Sequence, residues 1–307
     1  MIVVTVRAHF SLVLLLALAG QLAGQMRRGD EIASLKTARV NGVELHYLDE
    51  GSGPPLILIH GGLGDYREWG AQMARFSARN RVIAYSRRYN YPNHNEPISP
   101  NHSAIIEAED LAALIGLLKL ERVDIVGYSY GAFTALYYAT RHPERVRNLV
   151  LAEPPVLKWL RDIAGGNVEL DHFMNAIWQP AASAFRNNDP QAALRITCDY
   201  FGGKGSYDAM PPDGRRALTD NLREWKALTT SRDAFPPLDR DAVRKLNMSI
   251  LLLSGEKTLP PLRLINEELI RLLPNAERVA VPNATHDMWI EKPEVCGETV
   301  RSFLDRH

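Results

Sequence analysis

Gly127-Tyr128-Ser129-Tyr130-Gly131 decides how this chain reads. The G-x-S-x-G pattern lies between an apolar run, Val123-Asp124-Ile125-Val126, and a helix-forming run from Ala132 to Ala139. A serine at a sharp strand-to-helix turn is held in a strained backbone that pushes its hydroxyl clear of the sheet. The flanking glycines leave room for the tight packing this requires. The same position opens a helix, where backbone N–H groups and the helix dipole favour developing negative charge. Ser129 is therefore the candidate nucleophile, and the N–H of Tyr130 a candidate oxyanion donor.

Working outward, short apolar runs recur at Leu56 to Ile59, Val82 to Tyr85, Val146 to Ala152, Met248 to Leu253 and Arg278 to Val281. Such runs are expected of strands buried on both faces. Val40 to Leu48 alternates as a further strand and ends in a Gly- and Pro-rich turn. Helical periodicity fills the gaps at Glu107 to Leu120, Ala132 to Arg141, Arg263 to Leu273 and Pro293 to Leu304. Alternating strands and helices predict an α/β fold with a mostly parallel central sheet and helices on both faces.

One gap breaks the alternation, from Pro154-Pro155 to the strand beginning at Met248. It reads as an inserted helical cap over residues 154–246, with the core domain formed by 36–153 and 247–307. Trp159, Phe173, Trp178, Tyr200, Phe201, Trp225 and Phe235 fall in it and read first as the cap's own core. An apolar cap over a sheet edge is also where a mostly apolar ligand site forms.

Two further segments carry chemistry. His60-Gly61-Gly62 follows the Leu56 to Ile59 strand, and a glycine-rich turn there lets backbone N–H groups approach an oxyanion. Gly62 is the first choice of donor and Leu63 the next. His286 lies in Pro282-Asn283-Ala284-Thr285-His286-Asp287, a loop after the final strand, where a general base must come from in this chain order. His94, His102, His142 and His172 read as surface or capping residues, Glu291 as a cap of the last helix, and Tyr85, Tyr128 and Tyr130 as packing.

With these residues in hand, the chain resembles an α/β-hydrolase of the lipase, esterase and dehalogenase-like group, from about Val40 onward. The resemblance implies that Ser129 attacks a carbonyl, that His286 takes its proton, and that Gly62 and Tyr130 hold the oxyanion. Dehalogenases and epoxide hydrolases of this fold need an Asp nucleophile, and the position holds Ser129. Family members often carry the acid in a Gly-x-x-Asp pattern, but here the stretch reads Gly255-Glu256-Lys257-Thr258, and threonine cannot supply the charge. Glu153, directly after the Val146 to Ala152 strand and at the sheet edge where sites form, is the first candidate acid. Glu256 is the alternative, and Asp287 is too close in sequence to His286 to orient its ring. The expected function is hydrolysis of a carboxylic ester or lactone of a small, fairly apolar substrate. Carbon–carbon, amide or perhydrolysis chemistry on the same residues is the alternative, with a non-catalytic ligand-binding role behind it.

Composition limits the rest. The 307 residues carry 36 Lys plus Arg and 36 Asp plus Glu, a formal net charge of zero, with no block of like charge. Nothing points to nucleic acid or an anionic membrane surface, and the expected partner is a small-molecule substrate. No metal-type spacing occurs, so no cofactor or metal is expected. Cys198 and Cys296 are the only cysteines and read as buried free thiols. Residues 1–24, with an apolar run from Phe10 and an Ala17-Leu18-Ala19 site, read as a secretory signal peptide. Export to a periplasmic or secreted location is expected, without stable membrane insertion of the mature chain. A cytoplasmic or N-terminally anchored protein is the alternative.

Overall fold

The computed structural model describes residues 35–97 and 100–307, so the signal-peptide reading of residues 1–24 lies outside the described residues. Eight strands form one sheet in the order β1-β2-β4-β3-β5-β6-β7-β8. They are β1 Lys36–Val40, β2 Val43–Glu50, β3 Pro55–Ile59, β4 Arg81–Tyr85, β5 Val123–Tyr128, β6 Val146–Ala152, β7 Ser249–Gly255 and β8 Glu277–Val281. β1, β2 and β4 pair antiparallel, and every pairing from β4 through β3 to β8 is parallel. The single strand expected from Val40 to Leu48 is instead the second arm of a hairpin. Asn41 (φ 46°) and Gly42 (φ 78°) turn the chain through the positive-φ conformations that Asn-Gly accepts.

Continuous apolar runs have a direct cause here. Along β3, Ile57 and Ile59 face one core, while Leu56 and Leu58 face the other. The first core is covered by α2 (Ala104–Leu117) and α3 (Tyr130–Arg141). The second is covered by α1 (Gly70–Ser77) and a long C-terminal helix, Pro293–Arg306, through Met73, Phe76, Val300 and Phe303. Each fully buried aliphatic side chain contributes about 1.5–3 kcal/mol, so a strand buried on both faces is mostly apolar. The buried exceptions, Asp124 and Asn148, are satisfied by Arg147 and by each other.

Between β6 and β7 the chain leaves the sheet for a run of short helices: α4 Gly166–Phe173, α5 Gln179–Arg186, α6 Pro190–Gly202, α7 Ser206–Ala209, α8 Pro212–Asp220, α9 Leu222–Thr229 and α10 Arg240–Arg244. α11 (Pro260–Leu272) follows β7, and α12 (Met288–Glu291) precedes the C-terminal helix, α13. β4 adds to one side of β3 and β5 to the other, so the connections diverge at the C-terminal ends of β3 and β5. A crevice opens in parallel sheets at such a point.

Candidate active site

Register brings the site together. Tyr128 pairs with Ala152, Ala152 with Leu253, and Gly255 with Val281. Ser129, Glu153 and the loop after β8 therefore leave the sheet at one edge, on strands spaced about 4.8 Å apart. Ser129 sits at φ 51°, ψ −120° between β5 and α3, anchored by its own N–H to Ala152 O at 2.8 Å. The glycines of the turn are fixed by close approach. A Cβ on Gly131 would lie 2.3 Å from His60 O, and one on Gly127 2.6 Å from Ala132 Cα. Glu153 also has a positive φ, 51°, immediately after its strand. A non-glycine residue held there costs on the order of 1–3 kcal/mol, and such strain gathers at functional positions.

The three side chains meet in one line. His286 Nε2 is 3.0 Å from Ser129 Oγ, and His286 Nδ1 is 2.6 Å from Glu153 Oε2. A carboxylate only accepts, so Nδ1 carries the proton and Nε2 is left to accept from the serine hydroxyl. Glu153 is fully buried, and its other oxygen accepts from Gly255 N at 2.8 Å. Burial alone would lower the His286 pKa, but the bond to Glu153 and the charges of Glu153, Asp287 and Glu68 raise it above 6.5. Glu256 does not approach the histidine. It is exposed, and its carboxylate accepts from Asn283 N at 2.7 Å, bracing the loop instead. The reason is direction: β7 ends at Gly255, and the Glu256 side chain leaves on the solvent side.

The histidine loop is tied down from several sides. Tyr128 Oη donates to His286 O at 3.0 Å, and Lys257 N donates to Ala284 O at 2.8 Å. Glu291 accepts from Thr285 N and Thr285 Oγ1, so it holds this loop rather than capping α13. Phe201, from α6, stacks on the imidazole at 5.6 Å. Gly255 was not singled out in the sequence, although a glycine closing the β7 run is a signal. A Cβ there would lie 2.1 Å from Thr285 O and 2.6 Å from Ala284 O. Gly255→Ala is therefore expected to push the loop off its seat and cut turnover at least about tenfold, since small misplacements of reacting groups are costly. Steady-state kinetics beside a thermal melt check this; a loss of stability with turnover intact is the contrary result.

The turn after β3 offers fewer donors than its sequence presents. Gly61 N donates to Glu68 Oε2 at 2.8 Å, and Leu63 N donates to Glu224 Oε2 at 3.1 Å. Leu63, the second choice of donor, is thus already engaged, whereas Gly62 N and Tyr130 N have no partner among the described residues. Gly62, Tyr130 and Ser129 all border the same cavity. Burial pushes the Glu68 carboxyl up to about 7.

Behind this turn lies a buried ion network. Arg87 is completely buried and reaches both oxygens of Glu107 at 2.6 Å, Glu224 Oε1 at 2.7 Å and Gly61 O at 2.9 Å. Arg87 and Glu107 belong to the core, Glu224 to α9, so the network ties the inserted helices to the turn. Removing one partner of such a network typically costs about 3–5 kcal/mol, because the others stay buried and uncompensated. His102, read as a surface or capping residue, is buried with Nε2 3.0 Å from Glu107 Oε1. His60 is buried too, accepting from Arg87 N at 2.9 Å, and desolvation lowers its pKa to about 3.

Over these groups lies a cavity of about 220 Å³. Five of the seven aromatics first read as cap core, Phe173, Trp178, Phe201, Trp225 and Phe235, form its wall, and all of these but Phe201 also pack on one another. All five share that cavity with Ser129 and His286, so they face the sheet edge. Cys198 is free and half-buried in that wall, with burial pushing its thiol to about 12, and Cys296 is free and buried. Among the described residues no group of three or more His, Cys, Asp or Glu is arranged to hold a metal ion, and no helix is long and apolar enough to cross a membrane.

A family model described as the alpha/beta hydrolase family matches residues 56–299, four-fifths of the chain. The chain belongs to the alpha/beta hydrolase family. As a member it is a hydrolase, and its eight-stranded, mostly parallel sheet is the alpha/beta hydrolase fold. One relative is the 2-hydroxy-6-oxo-2,4-heptadienoate hydrolase of Pseudomonas putida, 29% identical over 197 residues, which is 63% of this chain and 62% of that enzyme. The match thus spans under two-thirds of that relative. Among solved structures, the enol-lactonase of Burkholderia xenovorans is similar at a TM-score of 0.72 and 20% identity, covering 88% of this chain and all of that one. A carboxylesterase of Bacillus subtilis is similar at a TM-score of 0.68 and 21% identity, covering 95% of this chain and 96% of that one. At such identities the likeness is one of fold.

Proposed function

We propose that this hydrolase cleaves a carboxylic ester or lactone of a small, mostly apolar substrate. The observation that carries the reading is the hydrogen-bonded line from Ser129 through His286 to buried Glu153 on the floor of an aromatic cavity. Ser129 attacks the carbonyl as His286 Nε2 takes its proton, and the N–H groups of Gly62 and Tyr130 hold the oxyanion. Glu153 keeps the imidazole in the required tautomer and stabilises the imidazolium. His286 then protonates the leaving alcohol, and water repeats the cycle on the acyl-enzyme. The helices between β6 and β7 act as a cap that excludes water. A second reading, cleavage of a carbon–carbon bond by the same residues, is favoured by the name of the Pseudomonas relative.

The test is a fluorophosphonate probe followed by a panel of short p-nitrophenyl esters, lactones and vinylogous diketones. Stoichiometric labelling of Ser129 with turnover of esters or lactones is expected. Labelling with diketones as the only substrates would replace this reading by the second. No labelling would remove both.

The rate should also report the histidine. His286 acts as a base only when neutral, so kcat/KM falls as pH drops through its pKa. Because that pKa is raised, the half-point of the acid limb is expected above pH 6.5. A pH–rate profile with its half-point below that value would count against the assigned base.

A further inference from the structure

We infer that the cavity selects against substrates carrying a carboxylate, and that Asp287 is the residue that enforces this. The inference deepens the ester or lactone reading and rests on it for the identity of the reacting groups.

The argument begins with what the wall contains. Among the described residues bordering the cavity there is no Lys, Arg, Asn or Gln. The hydroxyls that border it are spent. Tyr128 Oη donates to His286 O, Tyr130 Oη to Ala234 O at 2.6 Å, Thr197 Oγ1 to Ala193 O at 2.8 Å, and Ser206 Oγ to Gly203 O at 2.6 Å. Arg87, a fully buried cation, is engaged by two carboxylates beneath the turn and does not border the cavity. The ionisable side chains that do border it, besides His286 and Cys198 and the tyrosines, are carboxylates. Glu291 has both oxygens bound by Thr285. Asp287 is less committed, with a single long contact of 3.4 Å from Tyr128 Oη to Oδ1.

With the open N–H groups of Gly62 and Tyr130 taken by the reacting carbonyl, a second carboxylate in this space would leave water for a wall with no cation and no spare hydroxyl, facing a like charge. Burial of an unpaired charge and like-charge juxtaposition both oppose it. A neutral acyl or alcohol group meets only aromatic and aliphatic surface. The same reasoning separates this chain from the Pseudomonas relative, whose name specifies a dienoate.

The experiment uses Ser129→Ala of the full chain, which holds an ester without cleaving it, and reads binding by tryptophan fluorescence at pH 8 and low salt. The ligands are phenyl butyrate, monophenyl succinate and 4-carboxyphenyl butyrate, which carry no carboxylate, one at the acyl end and one at the alcohol end. Phenyl butyrate is expected to bind about 100-fold more tightly than either acid. Adding Asp287→Asn is expected to bring at least one acid to within about tenfold while moving phenyl butyrate less than about twofold. Equal binding of all three ligands, or no binding of phenyl butyrate, would overturn the inference. An unchanged ratio in Asp287→Asn would overturn the role of Asp287. Turnover of phenyl butyrate by the wild type is scored separately. Selective binding without turnover would sink the ester reading and leave the charge selectivity standing.

Discussion

Ser129→Ala is expected to lower kcat for a short p-nitrophenyl ester by about 10⁶-fold, because loss of the nucleophile from a serine–histidine–carboxylate set removes the covalent route entirely. The residual rate comes from the oxyanion donors and from binding, neither of which the substitution touches. KM is expected to move little, since Ser129 Oγ is held by His286 Nε2 and makes no contact that packing needs. The fold should survive, because the turn is held by Ser129 N to Ala152 O and by the glycines, none of which depends on the hydroxyl. An unchanged thermal midpoint beside the rate loss is the expected pair of results. Retention of more than about one hundredth of the wild-type kcat would show that another group performs the attack.

Glu153→Gln is expected to cost about 10⁴-fold in kcat with the shape of the site preserved. The glutamine oxygen is able to keep the bond from Gly255 N, but its amide then presents N–H groups to His286 Nδ1. The imidazole responds by placing its proton on Nε2, the wrong nitrogen for accepting from Ser129. The pH profile gives a second readout that a merely structural role would not move. Glu153 helps raise the His286 pKa, so the acid limb of kcat/KM should shift to lower pH in the variant. Glu256→Gln serves as the contrast. Its carboxylate holds only Asn283 N at the surface, so a loss within about tenfold and an unmoved limb are expected. The reverse pattern between the two variants would reassign the acid.

Much of the fold was legible because its signals are local. Strands buried on both faces are mostly apolar, and Leu56 to Ile59, Val82 to Tyr85 and Leu149 to Ala152 stand out for that reason. The Asn41-Gly42 hairpin was readable in principle and was overrun by the alternation of Val40 to Leu48, which continues across it. α1 has no sharp boundary in sequence, since Ser77-Ala78-Arg79-Asn80 carries neither glycine nor proline. Of the site, Ser129 and His286 announced themselves by motif and order, and Glu153 by its position at a strand end.

The remainder depends on residues distant in sequence. Glu224 takes the Leu63 N–H from 161 positions away, so nothing local distinguishes Leu63 from Gly62 as a donor. His102 looks like a surface residue until Glu107 and Arg87 close around it. The need for glycine at Gly255 appears only when the 284–285 backbone arrives against it.

The sequence by itself determined the alternation of strands and helices, the strained serine turn and the place of His286 after the last strand, because each is written in the hydrophobic period or in a few adjacent residues. Only the tertiary structure decided that Glu153 rather than Glu256 bonds the imidazole, which N–H groups are left open at the turn, and that Asp287 and the aromatic rings between β6 and β7 face the cavity. Those outcomes depend on strand register and side-chain direction at a shared sheet edge, where a residue's partners are set by packing across the chain rather than by its neighbours along it.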